Sequence, residues 1–336
     1  MLERTRSSRP AIISAAFFLL PLFMASPCGG QEAVDAADLV RIQFAWPEGI
    51  SASVEATRSR FRRTPRDSSS FAVVFLHSLE VMPHQDGLLI ETADFRIADQ
   101  PGASAIAGSD PLAAFQAQLG SVSADYVVSR DGHFLRLAGL DALVKSTRSL
   151  FEPMLDSIRV FREEAAAFLE SMLSETFLQS RAAEEWNALV GTWVGAEFEV
   201  GEQYGYENEE SSPLIPNTMI PFYYEFTLID YSPCYEGAPP RSCVMLQMLS
   251  YPDAGEVRSL LELILQRMAG KQAAGQVLFE ELEIENTVRL LTEPATLIPH
   301  RLEIQQVISG TVREADSPPG PFLQIDRRAY RYDYDR

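Results

Sequence analysis

The order in which strand-like and helical runs follow one another constrains the fold of this chain more than any other feature. Strand-like runs come first, a block of helical spacing interrupts them at residues 138–190, and strand-like runs then resume around a single helix. Alternating strand–helix–strand units, which indicate a parallel sheet, do not occur in this order. The sequence therefore predicts an α+β protein with a strongly curved, mostly antiparallel sheet of about ten strands. We expect the helices to cover its concave side, as in a half-barrel.

Two local signals place a turn and a helix. Asp131-Gly132 separates two strand-like runs, which predicts a hairpin with a two-residue turn. Asp253 and Glu256 have capping-box spacing ahead of an apolar stripe, which predicts a helix over 254–269. The remaining strand-like runs are 39–46, 71–81, 192–200, 218–229, 243–250, 277–291, 296–309 and 322–334.

The first thirty residues have the pattern of an export signal. Three arginines precede the apolar run 11–25, which is shorter than the roughly 20 residues of a membrane span and is followed by small residues. We therefore expect 1–30 to be a signal peptide and 31–336 to be a single α+β domain. Cys28 leaves two outcomes open. It either becomes the lipidated N-terminus of a bacterial lipoprotein, or cleavage near Gly30 leaves no lipid.

The charge balance excludes some partners. The chain has 47 acidic and 28 basic residues and a formal net charge of −19. Loss of residues 1–30 removes three arginines and one glutamate, which takes −19 to −21. A nucleic acid is an unsuitable partner for such a chain, and so is an anionic membrane surface reached by charge attraction. Membrane attachment is expected only through lipidation of Cys28, and the expected location is the periplasm or cell envelope.

Cys234 and Cys243 flank a short loop between two strand-like runs. An even pair in an exported chain predicts a disulfide bond. The alternative is a metal-binding or redox pair, which the eight-residue spacing and the lack of a nearby histidine in the sequence disfavour.

Motifs of known catalytic sites are missing from the sequence. It contains no serine-hydrolase elbow, zinc-protease helix, phosphate-binding loop or dinucleotide-binding loop. We therefore expect no catalytic residue, metal or cofactor. The acidic run 201–211 has glutamates that could bind Ca²⁺, but it lacks the spacing of calcium loops and is predicted to be a solvated loop.

Five arginines cluster between residues 58 and 66 of this acidic chain. On a strand, Arg58, Arg60 and Arg62 would share one face, where they are candidates for binding an anion such as a lipid head group, a phosphate or a sugar acid. The alternative, which the sequence favours, is a charge ladder with another strand. One other run has glutamates at the matching spacing: Glu281, Glu283 and Glu285.

The run 218–229, TMIPFYYEFTLI, is apolar or aromatic on both faces. This pattern is typical of a strand buried on both sides, and the alternative is one wall of an apolar cavity. The candidate ligand-binding residues lie on this strand and on the helical block: Phe222, Tyr224, Phe226, Phe161, Phe168 and Met172. A packed core and a hollow one give the same pattern, so both remain open.

The order of these parts resembles the lipoprotein-carrier (LolA-type) fold and related mycobacterial lipid-binding proteins. The resemblance rests on architecture and on no sequence motif. It implies an exported protein whose curved antiparallel half-barrel is capped by helices around an acyl-chain cavity. The segments 128–143 (VSRDGHFLRLAGLDAL) and 292–306 (TEPATLIPHRLEIQQ) are also similar to exported bacterial proteins of unknown function, a similarity that brings no known catalytic residue with it.

Three hypotheses for function follow. The first is an exported envelope protein that binds a lipid-like, apolar or amphipathic ligand without catalysis. The second is a structural or protein-interaction module with a packed core and an envelope protein as partner. The third is a hydrolase whose site assembles from distant segments, with His77 and His300 as the residues to test.

Overall fold

Long antiparallel strands with a few helices among them make up the chain. The computed structural model describes residues 39–98, 125–157, 170, 173–211, 218–273, 277–314 and 318–334. The strands are β1 (Val40–Arg41), β2 (Ser51–Arg63), β3 (Ser68–His84), β4 (Gly87–Ile97), β5 (Asp125–Val128), β6 (Phe134–Ala138), β7 (Glu197–Phe198), β8 (Gln203–Ser211), β9 (Met219–Ser232), β10 (Cys243–Pro252), β11 (Val277–Thr292), β12 (Pro299–Glu314) and β13 (Gly320–Tyr334). The helices are α1 (Leu140–Ser157), α2 (Glu175–Trp186), which continues into a π-helical turn (Asn187–Gly191), and α3 (Ala254–Ala273).

Eleven of these strands form one antiparallel sheet in the order β6-β5-β4-β3-β2-β13-β12-β11-β10-β9-β8. Strands β2 to β6 run outward from the middle to one edge, and strands β8 to β13 return from the other edge to the middle. The first and last strands of the sheet, β2 and β13, are therefore neighbours at its centre. β1 and β7 form a separate two-stranded ribbon. The predicted α+β class with a mostly antiparallel sheet is confirmed.

The two faces of the sheet differ in burial. On one face, which we call the inner face, a transverse row of register partners crosses seven strands and is buried or half-buried: Phe75, Ala56, Tyr330, Leu302, Leu290, Leu246 and Leu228. On the outer face, the register partners Glu55, Arg331 and Arg301 are exposed. The strands therefore bury one side, as expected for an antiparallel sheet covered on one face.

Three tryptophans close one end of the inner face. Trp46, Trp186 and Trp193 belong to the same buried cluster as the leucines of that row. Each indole N–H donates to a backbone carbonyl oxygen, Trp46 to Leu297 at 2.9 Å, Trp186 to Gly132 at 2.7 Å and Trp193 to Ala188 at 3.0 Å. The polar part of each buried indole is thus satisfied. Because Trp186 ends α2 and Trp193 follows the π-helical turn, this part of the connection between β6 and β8 packs on the inner face.

α3 begins where the capping pattern places it. The backbone N–H of Glu256 donates to the Asp253 carboxylate at 2.9 Å, and the helix extends to Ala273. Its residues Val257 and Leu260 pack against Ile220 and Phe222 of β9. None of the described helices combines the length and apolar character that crossing a bilayer would require.

Several local predictions are wrong. The run 201–211, predicted as a solvated loop, contains strand β8, which was missed because its exposed polar residues give no apolar alternation. The hairpin between β5 and β6 has a longer turn than two residues, since the N–H of Ser129 donates to the carbonyl of His133 at 2.8 Å. Strand β9 is not buried on both sides, because Met219, Tyr223 and Ile229 on its outer face are 41–46% exposed.

Candidate functional site

Polar residues form a second transverse row on the inner face. We call it the polar row, and its members are register partners on six adjacent strands: Arg60, Asp326, Gln306, Asn286, Ser250 and Tyr224. Polar groups at inward positions of six neighbouring strands are unusual, since each buried polar group requires a hydrogen-bond partner. This row therefore marks a functional candidate at the middle of the sheet.

Neighbouring members of the polar row form an ion pair and hydrogen bonds with one another. Arg60 forms an ion pair with Asp326, which also accepts from the Gln324 side-chain amide at 2.6 Å. The amide of Gln306 donates to Asn286 Oδ1 at 2.8 Å, and Asn286 Nδ2 donates to Ser250 Oγ at 3.2 Å. At the other end of the row, the Tyr224 hydroxyl donates to the carboxylate of Glu210 on β8, which lies outside the row.

The three predicted anion-binding arginines do share the inner face. Arg60 pairs with Asp326, while the guanidinium of Arg58 lies 5.8 Å from the centre of the Phe75 ring and that of Arg62 lies 5.9 Å from that of Phe322. The alternative, a charge ladder between these arginines and the glutamates of another run, is therefore wrong about the partner strand. The predicted partners lie on β11, two strands beyond β13, and face outward: Glu281, Glu283 and Glu285.

The predicted apolar wall is divided by the structure. Tyr224 and Phe226 are packed into the core, Phe226 with its ring 5.8 Å from that of Trp193. Phe222 is half-buried and packs beside α3. The three candidates on the helical block lie outside the described residues: Phe161, Phe168 and Met172. Among the described residues of the predicted cavity wall, Phe222 is thus the most exposed.

A carboxylate from α2 joins the arginines at the centre of the sheet. Glu185 Oε1 accepts from Arg328 Nη1 at 2.6 Å, and its Oε2 accepts from the Tyr126 hydroxyl at 3.2 Å. Arg328 is the direct register partner of Arg58 across the β2–β13 pair. Sequence reasoning missed Glu185 and Arg328, because their encounter depends on which strands become neighbours.

The charge of Glu185 is held by its surroundings. Burial raises the pKa of this carboxyl, but the positive charges of Arg328, Arg58 and Arg181 outweigh burial and lower the pKa overall. Glu185 is therefore an anion at neutral pH. Arg328, which donates to it at 2.6 Å, fixes its position.

Solvent reaches this central charged group. β2 and β13 are the fifth and sixth of the eleven strands, so their inner faces lie far from both sheet edges. Even so, the side chains of Arg60, Asp326, Arg328 and Glu185 are 37%, 26%, 29% and 37% exposed. At the tryptophan end of the same face, each of the three tryptophans is less than a tenth exposed. The inner face is thus packed at one end and accessible at its charged centre.

The two cysteines, His300 and His77 make their contacts outside the central charged group. Cys234 and Cys243 form a disulfide bond with a Cα–Cα distance of 5.0 Å, as predicted. His300 lies beside it, with Nε2 3.3 Å from a carboxylate oxygen of Glu293. Because the two sulfur atoms are bonded to each other, they are not available as thiolate ligands beside His300. His77 stacks on Phe95 at 4.6 Å, on the inner face of β3.

Fold and site together define an α+β protein with an open antiparallel sheet and a charged, accessible centre on its inner face. The sequence matches no protein-family model and has no significant match among curated proteins. Among solved structures, it is similar to one described as lipid–protein interactions in lipovitellin, with 9% identity and a TM-score of 0.39. The matched part covers 86% of this chain and 25% of that chain, and a TM-score this low does not establish a common fold.

Proposed function

We propose that the protein binds an amphipathic molecule with an anionic head group on the inner face of its sheet, without catalysis. The observation that carries the proposal is the accessibility of Arg60, Asp326, Arg328 and Glu185 at the centre of the sheet. A packed core would cover central inner-face positions. Accessible charged groups there are typical of a site that receives a polar part of a ligand.

The charge of the site favours an anion. Among the described residues, the inner faces of β2 and β13 carry four guanidiniums and one carboxylate, to which α2 adds Glu185, in a chain of net charge −19. The residues are Arg58, Arg60, Arg62 and Arg328 against Asp326 and Glu185. Guanidinium groups bind carboxylates and phosphates through charge-assisted hydrogen bonds, so the head group is a carboxylate or a phosphate.

Apolar side chains next to the arginines suit the rest of such a ligand. Ile304 is the register partner of Arg328, and Ile308 is that of Gln324; both isoleucines are half-buried, as is Ile284 opposite Ile308. Beyond them, the inner face continues through Met248 to Phe222 on β9. Five inter-strand spacings separate β2 from β9, which is about 24 Å along the sheet. In this proposal the acyl chain of the ligand lies along that path.

The place of action in this proposal is the bacterial cell envelope. The export pattern of residues 1–30 supports it, and the Cys234–Cys243 disulfide fits an oxidising compartment. Lipidation of Cys28 would tether the domain to a membrane, whereas cleavage near Gly30 would release it. The intact mass of the mature protein distinguishes the two.

The direct test is native mass spectrometry of the protein purified from its host's envelope, followed by titration with palmitate and with cetyl alcohol. We expect a stoichiometric lipid-sized mass that is released on denaturation, and tighter binding of palmitate than of the uncharged alcohol. A protein that carries no ligand and binds neither probe would overturn the proposal and favour an interaction module with a protein partner.

A matched pair of variants tests the place of binding. Arg58 faces inward on β2, opposite Arg328, and Arg63 of the same strand faces outward. We expect Arg58→Gln to weaken palmitate binding by up to about tenfold, the equivalent of 1.4 kcal/mol, because an anion contact is lost. Arg63→Gln should leave the dissociation constant unchanged. Equal effects of the two substitutions would place the anion elsewhere.

A further inference from the structure

Two like charges face each other at the centre of the inner face. Arg58 and Arg328 are directly opposed on adjacent antiparallel strands, where Cβ atoms are about 4.5–5.5 Å apart. Like charges in this position repel each other, and this repulsion destabilises the strand pair unless an anion lies between or beside them. The pair therefore requires a counter-anion, and at that position neither β2 nor β13 has an acidic residue.

Helix α2 meets this demand from outside the sheet. The carboxylate of Glu185 binds Arg328 at 2.6 Å, and Arg58 also lowers the pKa of Glu185 through its charge. Among the described residues, the Arg58 guanidinium has no hydrogen-bond partner, and it lies over the Phe75 ring. Glu185 is therefore the counter-anion of the opposed arginines, and it is shared unequally between them.

We propose that Glu185 occupies the head-group position of the ligand-free protein, and that the anionic head group of the ligand displaces it from Arg328. This inference rests on the proposed function and names the residue that sets its specificity. An uncharged head group cannot replace the carboxylate on two guanidiniums, so it leaves Glu185 in place. The site thereby discriminates by charge as well as by apolar contact.

The neighbourhood of Glu185 permits this exchange without lifting the helix. The next residue, Trp186, is buried and holds the end of α2 through its hydrogen bond to Gly132. Earlier in the helix, the Gln179 side chain accepts from the N–H of Leu137 at 2.9 Å. The side chain of Glu185 is 37% exposed, so water can solvate its carboxylate after displacement. Displacement therefore needs a rotation of one side chain.

Glu185→Gln tests the inference, with Glu184→Gln as the matched control. Glu184 is the adjacent exposed carboxylate, and its ion partner is Arg181. Removal of the competing charge at Glu185 should tighten palmitate binding by roughly tenfold and leave cetyl alcohol unchanged. Glu184→Gln should change neither constant. If Glu185→Gln weakens palmitate binding, or changes both probes equally, Glu185 is not a competing anion.

A second variant covers the case in which Glu185→Gln fails to fold. Tyr126→Phe removes one hydrogen bond from Glu185 and leaves its charge in place. We expect palmitate binding to tighten about threefold, because a loosened competitor is displaced more easily, with no change for cetyl alcohol. Unchanged palmitate binding by a folded Tyr126→Phe protein would contradict displacement. Failure of the wild-type protein to bind either probe would instead overturn the proposed function itself.

Discussion

The indole N–H of Trp186 donates to the carbonyl oxygen of Gly132 at 2.7 Å, and so joins the end of helix α2 to the turn between β5 and β6. This bond fixes the residue next to Glu185 to the sheet. Gly132 has φ of +84°, and a Cβ at this position would lie 2.6 Å from the Phe44 ring. The turn thus holds the helix through a position that only glycine fills without displacing a neighbour.

Gly132→Ala is therefore expected to destabilise the protein by about 1–3 kcal/mol, from the left-handed backbone and the contact with Phe44 together. Gly49→Ala is the control, since Gly49 has a similar φ of +82° and a Cβ added there would meet no atom within 4 Å. Chemical denaturation measures both. A loss of unfolding free energy at Gly132 no larger than that at Gly49 would show that the Phe44 contact relaxes without cost.

His77 should make the stability of the protein depend on pH. Burial and the charge of Arg58 lower the pKa of His77 from 6.5 to about 4. Between these values the unfolded chain binds a proton that the folded protein does not, so stability falls as the pH drops from 6.5 towards 4. This contribution amounts to at most about 1.4 kcal/mol per pH unit.

The measurement for this prediction is unfolding free energy at pH 7 and at pH 5. His77→Phe keeps an aromatic ring against Phe95 and should lose less stability than the wild-type protein over that range. His133→Gln, at an exposed turn position, should follow the wild-type curve. Identical pH dependence in all three proteins would mean that His77 titrates normally.

The Cys234–Cys243 disulfide should contribute about 2–3 kcal/mol, because it restricts a short loop in the unfolded chain. The double variant Cys234→Ser, Cys243→Ser is expected to lose this amount and to become insensitive to reductant. Thermal unfolding with and without dithiothreitol checks it. Wild-type protein that keeps its melting temperature after verified reduction would argue that the bond contributes nothing to stability.

Asn286 should be essential to the polar row. It accepts from Gln306 and donates to the buried Ser250, so Asn286→Leu leaves polar groups on both sides without these partners. We expect a loss of about 1–3 kcal/mol in unfolding free energy. Asn208→Leu, on the same face of edge strand β8 and exposed, should be nearly neutral. Similar losses at both positions would show that strand propensity, and not hydrogen bonding, determines the effect.

Local patterns predicted the class of the fold, because they depend on neighbouring residues. Asp253 and Glu256 predicted the start of α3, and the short loop between Cys234 and Cys243 predicted their disulfide bond. β8 escaped prediction, since a solvated edge strand needs no apolar alternation.

The candidate site was only partly predictable for a related reason. Alternation placed Arg58, Arg60 and Arg62 on one face, as the register with β13 requires. The partner of Arg60 could not be inferred, because Asp326 lies 266 residues away and adjacency of β2 and β13 is a property of the whole sheet. The contact of Glu185 with Arg328 was harder still to infer, because it also depends on how helix α2 packs on β2 and β13.

The central position of β13 has a consequence for biogenesis. Of the described strands, β13 leaves the ribosome or the translocation channel last, yet it joins β2 to β12. Until it arrives, the chain exists as two separate meanders, each with a long unpaired edge that can pair wrongly. Contacts this distant in sequence also close slowly. The chain should therefore depend on a holding chaperone until its final strand docks, and lesions in β13 should appear first as aggregation.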